Sequence, residues 1–160
     1  MNPYKKSLIA VLGAVATVLA VSAPASAAPI EKKPTTMEMV QVAAQTGQAW
    51  DEQKQELVAA WSCASGDICF YSGLSGTGAI CHWSGNDTNW LAAPGVCSWA
   101  DDVKPKSVRN NGTNTSLTGV RYYSQTGYRN TAGCTPRGAR GNFVSPELLR
   151  SHQWVNGPCA

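Results

Sequence analysis

Three hydrophobic patterns succeed one another along the chain. Leu8 to Val21 is an apolar run behind Lys5 and Lys6, and it gives way to Ser22-Ala23-Pro24-Ala25-Ser26-Ala27-Ala28. A charged start, a short apolar centre and a small-residue end make an export signal over residues 1–27. Cleavage after Ala27 is preferred, because cutting one bond later would leave Pro29 just beyond the site. As a membrane anchor the run falls short of the roughly 20 residues a helix needs to span a bilayer.

The second pattern runs from Ile30 to Trp61 and reads as a helix. Thr35 and Glu38 have the spacing of a capping box, in which hydroxyl and carboxylate satisfy the first free backbone amides. Met39, Val40, Ala43, Ala44, Trp50, Leu57, Val58 and Trp61 recur near helical spacing, with interruptions at Gly47 and Lys54. A lone helix of this quality needs a surface to lie on. Residues 28–61 are therefore expected to be either a removable pro-segment or an N-terminal extension docked on the cysteine-bearing region, and both roles stay open.

From residue 62 to 160 the chain becomes rich in Gly, Ser, Thr, Asn, Trp and Tyr, the composition of short strands and frequent turns. This region is expected to be one all-β domain. Strands are predicted over Asp67–Ser72, Gly78–Trp83, Ser107–Asn110, Gly119–Ser124 and Ser151–Val155. A single helical turn is predicted over Ser145–Leu149, with Pro146 near its start.

Cysteine placement adds the compartment. Cys63, Cys69, Cys81, Cys97, Cys134 and Cys159 form an even set beyond an export signal, which predicts three disulfides. Zinc is disfavoured because there is no Cys-x-x-Cys pair and His82 and His152 are the only histidines. From Cys63 onward eight bases against five acids give a net +3, but the bases are dispersed and leave no nucleic-acid footprint.

The domain also repeats itself. Cys69-Phe70-Tyr71-Ser72 aligns with Arg121-Tyr122-Tyr123-Ser124, and Lys106-Ser107-Val108-Arg109 aligns with Arg150-Ser151-His152-Gln153. Tyr71 is followed seven residues later by Gly78, whereas Asn130 holds that place after Tyr123. An aromatic ring can cover a folded-over hairpin, glycine or asparagine can supply a positive φ, and a late serine can bond the hairpin backbone. The first copy is eight residues longer than the second, and the excess lies between Trp83 and Lys106.

These residues resemble a pair of βγ-crystallin Greek keys. With Cys63-Ala64-Ser65-Gly66-Asp67-Ile68-Cys69-Phe70-Tyr71 behind a signal peptide, the region Cys63–Cys159 is similar to the secreted peptidase inhibitors of actinobacteria, whose founding members block metalloproteinases. The resemblance implies a disulfide-stapled βγ-crystallin-like fold and a secreted, monomeric inhibitor of an extracellular protease, with no membrane partner after signal cleavage. It also implies a short Cys63–Cys69 bridge. Pairing Cys81 with Cys97 and Cys134 with Cys159 joins nearest neighbours and staples each half separately. A non-catalytic cell-surface or cell-wall module of the same fold is the alternative function.

Catalysis is not expected and no cofactor is called for. His82 and His152, with Asp87, Asp101 or Asp102 as orienting carboxylates, are the only candidates, and no Gly-x-Ser-x-Gly signature accompanies them. Asp101-Asp102 resembles the acidic pair of crystallin calcium sites, but Pro105 and Lys106 replace the hydroxyl that should come next, so no metal site is expected. Inhibitory contact is assigned to the long excursion Asn89–Val96, with Trp90, Leu91, Pro94 and Val96 as its candidate residues. The competing role for the same residues is packing under the loop, because small domains need their scarce apolar side chains inside.

Overall fold

The computed structural model describes residues 34–159, so the export signal assigned to residues 1–27 lies outside the described residues. The helix predicted over Ile30–Trp61 is shorter than expected. α1 spans Thr36–Thr46 behind the Thr35/Glu38 capping box, and Gly47 ends it in the left-handed conformation at φ 67°. Beyond Gly47 the chain forms a hairpin of β1 (Gln48–Asp51) and β2 (Glu56–Ala59). Asp51 Oδ1 accepts from the backbone N–H groups of Gln53 and Lys54 and so shapes the turn. The helical spacing of Trp50, Leu57 and Val58 was overridden because strand pairing buries Trp50, which a marginal helix could not do alone.

The remaining strands are β3 (Ile68–Tyr71), β4 (Gly78–Trp83), β5 (Ser107–Asn110), β6 (Gly119–Gln125), β7 (Arg129–Pro136), β8 (Arg140–Asn142) and β9 (Ser151–Val155). One sheet has the order β2-β1-β4-β3-β5-β8, and the other has β7-β6-β9. β1 joins β4 in parallel, and the other strand pairs are antiparallel. β8, from the second repeat, completes the sheet of the first. Asp87 of the first repeat makes the reciprocal visit by bridging to His152 on β9.

Alternation along β3 divides the core. Ile68 and Phe70 face the main cluster with Ala79, Cys81, Trp83, Trp90, Val108, Val120, Tyr122 and Leu149. Cys69 and Tyr71 face a smaller cluster with Ala49 and Ile80, against which Val58, Trp61 and Cys63 pack. Disulfides join Cys63–Cys69, Cys81–Cys97 and Cys134–Cys159. The architecture is an all-β, disulfide-stapled body with one short helix.

The repeat is visible in its hydrogen bonds. Ser107 Oγ donates to Gly73 C=O at 2.7 Å and accepts from Gly76 N–H at 2.9 Å. Ser151 Oγ likewise donates to Gln125 C=O at 2.6 Å and accepts from Tyr128 N–H at 3.1 Å. Positive φ occurs at Ser75, Gly76 and Gly78 in the first fold and at Gly127, Tyr128 and Asn130 in the second. Asn130, at φ 59°, takes the place of Gly78, at φ 78°.

The helical turn predicted over Ser145–Leu149 is absent. The chain bends at Val144 and Ser145 and continues without regular structure to Arg150. Pro146 disfavours helical backbone at Ser145, and one isolated turn cannot repay its nucleation cost.

Candidate functional site

The long excursion begins where β4 ends at Trp83. Asp87 exchanges backbone hydrogen bonds with His152 at 3.0 and 2.9 Å, and Trp90 N–H donates to Arg150 C=O at 2.8 Å. Asp87–Trp90 therefore runs beside β9. Side-chain turns carry the chain onward: Asp87 Oδ1 accepts from Asn89 N–H at 2.7 Å, and Asn89 Oδ1 accepts from Leu91 N–H at 3.1 Å. The loop then closes on itself, because Cys97 N–H donates to Trp90 C=O at 2.7 Å and Cys97 is bonded to Cys81 on β4.

Between those ends stands the segment Leu91–Val96. Trp83 Nε1–H donates to Gly95 C=O at 3.1 Å and holds the loop's far limb against the sheet. The approach is close enough to require glycine, since a Cβ on Gly95 would lie 2.5 Å from Trp83 Nε1. Ala92, Ala93 and Pro94 are exposed, and Val96 is 50% exposed. Leu91 is half-buried against the main cluster.

Trp90 departs from the contact role expected of it. Its side chain is 0% exposed, stacked on Trp83 at 4.8 Å and tilted against Phe70 at 4.6 Å. Its indole N–H donates to His152 Nδ1 at 2.8 Å, and His152 Nε2–H donates to Gly85 C=O at 2.9 Å. A buried indole whose donor finds a partner is a core residue. Burial pushes the His152 imidazole down to about pKa 4. The neutral ring is thus the form that accepts from Trp90, and it is no free catalytic base.

Beside the loop is a cleft of about 540 Å³, walled by Asp67, His82, Asp87, Asn86, Asn89 and Pro94 among others. His82 Nδ1 lies 2.8 Å from Asp67 Oδ2, and its Nε2 lies 3.6 Å from Asp51 Oδ2. The orienting carboxylates are therefore Asp67 and Asp51, not Asp87, Asp101 or Asp102. Asp51 was invisible as a partner because it comes from the stretch read as helix. Among the described residues His82 Nε2 has no hydrogen-bond partner, so no hydroxyl is poised on it as a nucleophile. Asp101 points to Arg150 at 3.6 Å, and no group of three or more metal-ligating side chains occurs among the described residues.

The loop thus has a disulfide at its root, a buried aromatic floor and an exposed tip. Residues 58–135 match the family model of peptidase inhibitor family I36. The match supports a peptidase inhibitor family for this chain, hence a protease as partner and a non-catalytic role rather than an enzyme. It runs from β2 into β7 and encloses the whole loop, together with Cys63–Cys69 and Cys81–Cys97. No curated protein matches the chain.

Proposed function

We propose that the protein is a secreted inhibitor of an extracellular protease, with a metalloproteinase as its target class, and that Leu91–Val96 touches the enzyme. The observation that carries the reading is the construction of the loop inside the family-matched stretch. Its two ends are joined by the Cys97 N–H to Trp90 C=O bond, its far limb is held by Trp83, and its tip is exposed. Each rotamer-rich side chain or loop segment that must be ordered on binding costs about 0.5–1.5 kcal/mol, and a loop already fixed avoids much of that cost. Leu91, Pro94 and Val96 remain the contact candidates, with Trp90 as their support from below.

Disulfides and an export signal fit action outside the cell. Among the described residues no helix is long and apolar enough to cross a membrane. The matching serine bridges of the two repeats, Ser107 to Gly73 and Gly76 and Ser151 to Gln125 and Tyr128, support the βγ-crystallin likeness. The segment 28–61 is proposed as a docked extension, because Ala49, Trp50 and Asp51 are buried beside β4. A panel of metallo, serine and cysteine proteases tests the function. Inhibition of a metalloproteinase, weakened by Val96→Asp with the melting temperature unchanged, is the expected result. Absence of inhibition throughout the panel, with binding to cell-wall material instead, would overturn it.

A further inference from the structure

Arg109 and Arg140 lie far apart in sequence but face each other across β5 and β8, where the register pairs them directly. Side chains paired in this way leave the same face of the sheet with Cβ atoms about 4.5–5.5 Å apart, and like charges there repel. Arg109 also pairs with Cys69 on β3, so both cations stand on the face that carries Cys69 and Tyr71. Neither has an acidic partner. Among the described residues the ion pairs join Lys54 to Asp51, His82 to Asp51 and Asp67, and Arg150 to Asp101, and neither Arg109 nor Arg140 enters one. Arg109 donates instead to neutral acceptors, the Trp61 C=O and, at 3.4 Å, Asn111 Oδ1. Arg140 lays its guanidinium over the Trp61 ring, 5.1 Å from the centroid.

The two guanidinium groups therefore meet at Trp61, and Trp61 is held in an unusual shape. Its φ of 62° is a left-handed conformation that a bulky aromatic residue adopts only at a cost. Its N–H donates to Gly76 C=O at 3.0 Å, its C=O accepts from Arg109, and its ring meets Tyr71 edge-on at 5.7 Å. A Cβ on Gly76 would lie 2.4 Å from Trp61 N, so the turn between β3 and β4 presses closely on this platform. Burial pushes the Tyr71 hydroxyl up and Arg109 and Arg140 both draw it back, so their fields reach one point. Folding alone does not call for such a pair, because a carboxylate at either position would turn repulsion into attraction. An anion between the two groups does the same, and planar guanidinium forks match the oxygens of phosphate. Charge selects among anions: a phosphate group carries about −1.5 to −2 near neutral pH and balances two cations, whereas a carboxylate balances one.

We propose that Arg109 and Arg140, on the Trp61 platform, form a binding site for a dianionic phosphate group. The site is independent of the inhibitor function proposed above. Calorimetric titration of the full-length secreted protein with inorganic phosphate, at about pH 8 and fixed ionic strength, measures it directly. Two charge-assisted forks at the surface predict a Kd on the order of 1 mM. Arg140→Gln and Arg109→Gln should each weaken binding about tenfold or more, whereas Arg129→Gln, at an exposed position on β7, should leave it within about twofold. Should Arg109→Gln unfold, Arg109→Lys keeps the charge, loses the fork and still weakens binding. Phosphate should raise the melting temperature of the wild type and not that of Arg140→Gln, because a ligand that binds only the folded chain stabilises it. Dimethyl phosphate and acetate, each with a single negative charge, should bind at least about tenfold more weakly than phosphate. Absence of saturable phosphate binding, an equal loss in Arg129→Gln, or equal binding of the two monoanions overturns the site. A melting temperature lowered by Arg140→Gln in phosphate-free buffer, with no phosphate binding to the wild type, overturns it as well and assigns the pair to packing on Trp61.

Discussion

Replacing Ser107 with alanine tests the repeat architecture at its most buried point. Ser107 is 0% exposed, and its hydroxyl bridges the Gly73 carbonyl and the Gly76 amide, the latter on a buried residue. Alanine fills nearly the same space but leaves one main-chain donor and one acceptor without partners. A net bond contributes about 1 kcal/mol, and an orphaned buried group costs about 1–3 kcal/mol, so the change should destabilise by roughly 2–4 kcal/mol. Ser151→Ala removes the equivalent bridge, but its partners are the exposed Gln125 and the half-buried Tyr128, which water can reach. Its cost should be about 1–2 kcal/mol. Urea unfolding with the disulfides intact measures both, with m-values unchanged. A loss below about 0.5 kcal/mol for Ser107→Ala, or a larger loss for Ser151→Ala, would refute the argument that hydrogen-bond burial sets the difference.

Gly95→Ala forces a Cβ to 2.5 Å from Trp83 Nε1, so the loop must detach from the indole; inhibition should fall far more than stability, and intact inhibition would show that the loop is not the contact. His152, whose folded pKa of about 4 lies below its unfolded value of 6.5, makes the unfolded chain bind the extra proton between those pH values. Its stability is complete above about pH 6.5 and falls by about 3 kcal/mol as pH drops to about 4. The difference between wild type and His152→Gln in unfolding free energy should therefore shrink across that window, and a constant difference would contradict the assignment. Trp50→Ala should cost about 3 kcal/mol, the low end for a buried tryptophan, because it also removes an unpaired buried Nε1–H. An unchanged unfolding midpoint would favour a dispensable pro-segment instead.

How legible all this was depended on how local its cause was. The limits of β4, β5 and β9 match their predicted ranges residue for residue, because β-branched and aromatic residues sit there between turn signals. The serine bridges were foreseen because a hydroxyl at a fixed place in the repeat has few backbone groups to reach. β7 was missed: Arg-Asn-Thr-Ala-Gly-Cys-Thr-Pro shows no alternation, and its pairing with β6 and its link to Cys159 hold it in place. β8 has three residues, Arg140–Asn142, and exists because β5 offers it an edge. The β1–β2 hairpin was hidden for the same reason, as the edge of β4 lies outside its own sequence neighbourhood.

The site obeys the same division. An eight-residue excess between the repeats located the loop, and the nearby cysteine pair located its root, yet neither could show which of its apolar residues faced outward. Trp90 was the most conspicuous candidate and proved to be the floor, because the deciding contact is His152, 62 residues away in sequence. A tryptophan and an imidazole that complete each other inside the core release Leu91, Pro94 and Val96 from structural duty to different degrees. Leu91 still packs inward, whereas Pro94 and Val96 do not. Val96→Asp should therefore separate binding from folding more cleanly than any change at Leu91, and Leu91→Asp should lower the melting temperature as well as inhibition. Equal melting temperatures for the two variants would mean that Leu91 contributes nothing to the core, and the half-buried side chain would then belong to the contact surface.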